Sequence, residues 1–146
     1  MSGVHILVIE DNPGDVRLIQ EALRSQTVSF RMTHYDTADR ALKAVHRYQP
    51  GAADVPDIML VDFNLPAGNA TDILIAAAKN PALARIKKAV MTSSVAPKDR
   101  DQAILHGADC FIFKPADLDG FLNEVGGALR TLCDEVSALS AGRPSG

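Results

Sequence analysis

Ile58-Met59-Leu60-Val61 is an unbroken apolar run that stops on Asp62. A strand with one wet face alternates apolar and polar residues, and this run does not alternate. It suits a strand buried on both sides, as in a parallel sheet covered by helices. Upstream, Val4-His5-Ile6-Leu7-Val8-Ile9 is a similar run that ends on Glu10-Asp11. Phe30, Met32 and His34 alternate and mark a weaker strand between the two. Downstream, Ala89-Val90-Met91 runs into Thr92-Ser93-Ser94, and Cys110-Phe111-Ile112-Phe113 ends at Lys114-Pro115.

Helical patterns separate these runs. Val16, Leu18, Ile19, Ala22 and Leu23 recur with helical spacing after a polar turn, Glu10 to Asp15. Asp36 or Thr37 would cap a helix whose stripe is Ala38, Ala41, Leu42 and Val45. Leu65 to Gly68 reads as a turn, Ile73 to Ala78 as helix, and Pro81 to Ile86 as an irregular or helical link. Pro97 suits the first turn of a short helix that Gly107 would close. Leu118, Phe121, Leu122, Val125, Ala128, Leu129 and Leu132 form the longest amphipathic stripe. Strands alternating with helices predict an α/β domain with a five-stranded parallel sheet. Right-handed crossovers then place helices on both faces.

The 146 residues fit one domain, expected over 1–139, with a Gly-, Pro- and Ser-rich tail over 140–146 that would fray and no output domain. A net charge of −3, from 15 basic and 18 acidic residues, argues against direct DNA binding. No apolar run reaches the roughly 20 residues of a membrane span. The N-terminus lacks a basic leader, so the expected location is cytoplasmic. Cys110 and Cys133 have no zinc or CxxC spacing and read as reduced packing residues.

The polar residues at the strand exits carry the chemistry. Ligands of open parallel sheets bind beyond the carboxyl ends of the strands. Those ends supply Glu10 and Asp11, Asp62, Thr92, and Lys114. Clustered carboxylates repel one another, and a divalent cation relieves the conflict. An all-oxygen donor set suits Mg2+, with Mn2+ as the alternative. A carboxylate can also act as a covalent nucleophile toward phosphorus, and an ammonium and a hydroxyl can bind phosphoryl oxygens. Singly, each residue has a plainer use: a helix cap, a solvated turn, a surface lysine.

Together, Ile9-Glu10-Asp11, Asp62-Phe63-Asn64-Leu65-Pro66, Met91-Thr92-Ser93 and Phe113-Lys114-Pro115 resemble the signature of response-regulator receiver domains. The likeness spans residues 4 to 132. It implies the doubly wound, flavodoxin-like fold with strand order 2-1-3-4-5. It also implies that Asp62 accepts a phosphoryl group from a sensor histidine kinase. Asp11 would bind Mg2+ directly, Glu10 through metal-bound water, and Asn64 through its main-chain carbonyl. Thr92 and Phe111 would move together as a switch, and Lys114 would contact a phosphoryl oxygen. The domain would be no enzyme beyond Mg2+-dependent self-phosphorylation and autodephosphorylation. Asn64 and Ser94 are the side chains to vary for the phosphoryl lifetime.

A narrower likeness lies in Glu10 through Leu18, which is similar to the opening of small receivers that partner phytochrome-type histidine kinases. Ala70 stands where the family often has a loop glycine, so the start of the third helix is expected to differ. Output would pass to a downstream protein or a phosphotransfer partner. A homodimer would use the face of strand 4, helix 4 and strand 5, with Ala103, Ile104 and Phe113 as candidates.

Three other readings fit less well. A phosphohydrolase would want a general acid where Asn64 stands. A nucleotide or flavin module would want a Gly-rich phosphate cradle in place of the acidic turn at Glu10 to Asp15. A degenerate receiver acting only as a scaffold would lack some of the reactive residues, and all are present.

Overall fold

The computed structural model describes residues 3–65, 70–93 and 96–141. The elements run β1 (Val4–Ile9), α1 (Pro13–Ser25), β2 (Phe30–Tyr35), α2 (Ala38–Arg47), β3 (Ile58–Asp62), α3 (Ala70–Lys79), β4 (Lys87–Thr92), α4 (Pro97–Leu105), β5 (Cys110–Phe113) and α5 (Leu118–Ala141). The five strands pair in parallel in the order β2-β1-β3-β4-β5. β1, β3 and β4 are buried almost throughout, as their uninterrupted apolar runs require.

Alternation along these strands divides the interior into two cores. Leu7, Ile9, Met59, Val61 and Val90 face α2 and α3, with Ala103 of α4 in the same cluster. Ile6, Val8, Ile58, Leu60, Ala89 and Met91 face Ile19 and Leu23 of α1 and Phe121, Val125 and Leu129 of α5. Helices therefore cover both faces. Among the described residues, no helix is long and apolar enough to cross a membrane.

Local chemistry sets the helix starts. Pro13 is at the first position of α1, and the Asn12 side chain accepts a 2.8 Å hydrogen bond from the Gly14 amide. The helix thus absorbs Pro13, Gly14 and Asp15, which the sequence reading assigned to the preceding turn. Thr37, rather than Asp36, caps α2, accepting from the Arg40 amide at 3.2 Å. Gly107 has φ of +107°, a left-handed conformation that glycine adopts without strain as the chain leaves α4.

α5 runs to Ala141, and 142–146 lie outside the described residues. α3 begins at Ala70, whose side chain is fully buried. Alanine there fills core space, so the missing glycine does not prevent the helix from starting. The turn expected at Leu65 to Gly68 lies outside the described residues beyond Leu65.

Candidate functional site

The parallel register brings the strand exits to one rim. Ile9 pairs with Val61, Asp62 with Met91, and Thr92 with Phe113. Glu10 and Asp62 lie one step past the Ile9–Val61 pair, Thr92 one step further and Lys114 one beyond that, so the exits are staggered along the rim. Glu10 is fully buried there, Asp62 is 5% exposed and Thr92 is fully buried, whereas Asp11 is open to solvent.

Three carboxylates converge. Glu10, Asp11 and Asp62 each offer an oxygen, and these oxygens lie within 4.8 Å of one another. Two buried acids and one exposed acid make a hard donor set that can hold a divalent cation while leaving room for water. Electrostatics agree. Burial, together with a hydrogen bond to Asp62 and its charge, raises the Glu10 pKa to about 8. Without a cation, burial and the adjacent Asp62 favour the protonated form of Glu10, while the Lys114 ammonium favours the ionised one.

Backbone and side-chain donors hold these groups in place. The Asn64 amide donates to Asp62 Oδ1 at 3.0 Å, and the Asn12 amide donates to Glu10 Oε2 at 3.2 Å. The Asn64 side-chain amide donates to the Thr92 hydroxyl at 3.2 Å. The Lys114 amide donates to the Thr92 carbonyl at 2.7 Å, so the ends of β4 and β5 are tied together. The Phe111 ring is half-buried and meets Phe63 edge-on, with centroids 6.4 Å apart.

Lys114 supplies the positive charge. Its ammonium lies 2.7 Å from Asp15, 3.3 Å from Glu10 and 3.6 Å from Asp62. Burial pulls its pKa down, but the hydrogen bond to Asp15 and the three carboxylate charges outweigh this and hold it above the ordinary lysine range.

All the residues singled out at the strand exits thus meet at one rim. Phe111 stands apart from the polar cluster, against Phe63. Ser94, named for the phosphoryl lifetime, lies outside the described residues. Sequence reasoning missed Asp15, the closest acid to Lys114. A signal was available: Pro13 at the first helical position places Asp15 in the first turn of α1, beside the acids of the strand exit. The apolar candidates on α4 and β5 divide. Ala103 is core, whereas Ile104 and Phe113 are exposed, as is Leu105.

The chain is similar to known proteins. The family profile of the response regulator receiver domain matches residues 6–125. Response regulator Rcp1 of Synechocystis is 27% identical over 123 residues, covering 84% of each chain. The phosphorylated cyanobacterial phytochrome response regulator RcpA superposes with a TM-score of 0.80 at 29% identity, covering 99% of this chain and 100% of that one. The Mn2+-bound form of Rcp1 superposes with a TM-score of 0.71 at 28% identity, covering 85% and 90%. With the strand order and the acidic rim already in hand, these matches place the chain in the response regulator receiver domain family.

Proposed function

We propose that this receiver takes a phosphoryl group onto Asp62 from a phosphohistidine of a sensor histidine kinase and signals through protein contacts. The observation that carries this is the position of Asp62. It is a nearly buried carboxylate beside two further acids, within 3.6 Å of an ammonium. A carboxylate oxygen of Asp62 would attack phosphorus as the P–N bond of the donor breaks, and the imidazole would leave with the electron pair. The bound divalent cation would offset the negative charge that collects on the phosphoryl oxygens. Glu10, Asp11 and the Asn64 carbonyl would hold it with Asp62. Lys114 would bind one phosphoryl oxygen and the Thr92 hydroxyl another. Movement of Thr92 would draw Phe111 inward from its place beside Phe63.

Beyond this single transfer, self-phosphorylation from small phosphodonors, and loss of the phosphoryl group to water as inorganic phosphate, the domain is read as a phosphoacceptor rather than a multiple-turnover enzyme. The Rcp1 and RcpA likeness favours a phytochrome-type kinase as donor, and that pairing belongs to the proposal. So do a cytoplasmic location and output to a downstream or phosphotransfer protein. A homodimer through α4 and β5 also belongs to it, supported by exposed Ile104, Leu105 and Phe113.

The test is labelling by a small phosphodonor such as acetyl phosphate, with and without Mg2+. Label should appear only with Mg2+ and should vanish in Asp62→Asn. Undiminished label in that variant would place the acceptor elsewhere. Transfer from a phosphorylated phytochrome-type kinase, compared with unrelated kinases, tests the partner.

A further inference from the structure

We propose that Asp15 is a positioning residue for Lys114: its carboxylate competes with the incoming phosphoryl group for the ammonium and so tunes how readily the site accepts it. The inference rests on the receiver reading and extends it to a residue outside the acidic triad.

The geometry makes the competition. Of the three carboxylates around Lys114, Asp15 is nearest at 2.7 Å, against 3.3 Å for Glu10 and 3.6 Å for Asp62. Only the Asp15 contact has the length of a strong charge-assisted hydrogen bond. Asp15 also differs in kind from the other two. It is not among the carboxylates that converge to hold a cation. A cation placed among Glu10, Asp11 and Asp62 would engage the oxygens of Glu10 and Asp62, and both would hold Lys114 less strongly. The Asp15 contact would then remain as the principal anchor. A phosphoryl oxygen at Asp62 has to win the ammonium from it, or share it.

Asp15 is placed to exert this hold steadily. It sits in the first turn of α1, which is fixed by Asn12 and Pro13. Its side chain and that of Lys114 are 20% and 15% exposed, so the pair is partly shielded from solvent screening. Both residues line a groove with Leu18, Ser93, Pro115 and Phe121. An acid in the first turn of a helix also favours the positive helix end. That plainer role would affect folding stability and not the binding of a phosphoryl mimic.

The experiment titrates beryllofluoride, with Mg2+ present, into the wild type, Asp15→Asn, Asp15→Glu, Lys114→Met and the Asp15→Asn/Lys114→Met double variant. Binding is followed by NMR, and thermal unfolding is recorded in parallel. Asp15→Asn should bind about three- to tenfold more tightly than the wild type. Asp15→Glu should lie closer to the wild type. The gain should disappear when Lys114 is already methionine, because nothing is then left to compete for. Equal or weaker binding by Asp15→Asn overturns the inference while leaving the receiver reading intact. So does a gain that persists without Lys114. Failure of the wild type to bind beryllofluoride at all removes the receiver reading, and this inference with it.

Discussion

The Asn64 side chain donates a 3.2 Å hydrogen bond to the Thr92 hydroxyl, so a residue just past β3 holds the residue that ends β4. In the proposed mechanism that hydroxyl must turn toward a phosphoryl oxygen, and the Asn64 bond opposes the turn. A side-chain hydrogen bond contributes about 0.5–1.5 kcal/mol. Asn64→Ala should therefore tighten beryllofluoride binding by up to about tenfold and lower the stability of the unliganded protein by about the same 0.5–1.5 kcal/mol. Thr92→Ala should still be labelled on Asp62, yet the NMR shifts that labelling induces at Phe111 should shrink. Thr92→Ser, which keeps the hydroxyl, should retain them.

Glu10 gives the site a pH dependence whose sign is fixed. Burial and the neighbouring Asp62 raise its pKa from 4.5 to about 8. Between those values the folded protein holds a proton that the unfolded chain releases. The stability this contributes is complete below about pH 4.5 and is lost as pH rises through about 8. A divalent cation needs the ionised carboxylate, so its binding expels that proton. Mg2+ affinity should rise between about pH 6 and about pH 8 and then level off. In Glu10→Gln, which mimics the protonated form, affinity should be lower and the rise much flatter. Calorimetry in buffers of different ionisation enthalpy would count the released protons. No release near neutral pH would mean that Glu10 is already ionised.

Much of the fold was legible because burial on both faces leaves a plain mark. Ile58 to Val61 could hardly be anything but a central strand, and Val4 to Ile9 shares that pattern. The acids, hydroxyl and lysine at the strand exits could be assembled because a parallel sheet puts all such exits on one rim. What stayed hidden depends on side-chain geometry that periodicity does not encode. Asp15 looked like part of a turn, and only the start of α1 at Pro13 brings it to Lys114. Asn80 was passed over, lying between the helix read to Ala78 and the link read from Pro81. Its amide reaches the carbonyls of Val45 and Tyr48 at 2.7 and 3.1 Å, closing the end of α2, and its oxygen accepts from the Ala82 amide. Nothing in the local sequence announces a contact with residues so far away along the chain.

Asn80 is accordingly a stability site. Its side chain satisfies two carbonyls and one amide in partly buried surroundings. Removing it leaves these groups without partners, at about 1–3 kcal/mol for a buried unsatisfied group. Asn80→Ala should lower the urea midpoint accordingly, while labelling of Asp62 in the folded protein stays as in the wild type. Asn80→Asp, which keeps the acceptor and loses the donors, should recover only part of the loss.

Two adjacent glycines in α5 should respond in opposite directions. A Cβ on Gly126 would stand 3.1 Å from the Ala22 carbonyl oxygen of α1, whereas one on Gly127 would meet nothing within 4 Å. Gly127→Ala removes a flexible residue from a helix interior and should stabilise the protein by about 0.5–1 kcal/mol. Gly126→Leu must push α1 from α5 and should destabilise it by about 1–3 kcal/mol. Chemical denaturation of both variants checks the contrast.

The face formed by α4 and β5 yields the remaining prediction. Leu105 is 73% exposed, Ile104 48% and Phe113 43%, and Leu118 at the start of α5 is 56% exposed. Scattered apolar residues on a surface need no explanation, but these belong to consecutive elements, and α4 and β5 pack against each other. A self-complementary pairing of this face would bury them. β5 pairs with β4 at Thr92, so a phosphoryl group on Asp62 that moves Thr92 would reach this face through β5. Sedimentation equilibrium should show a dimer that strengthens with beryllofluoride and Mg2+. Leu105→Glu adds a charge to the face without touching the acidic rim, so it should shift the equilibrium to monomer while leaving labelling of Asp62 unchanged. If the wild type stays monomeric at high concentration with the phosphoryl mimic bound, the face is left for a different protein. Leu105→Glu should then weaken binding of that downstream partner instead.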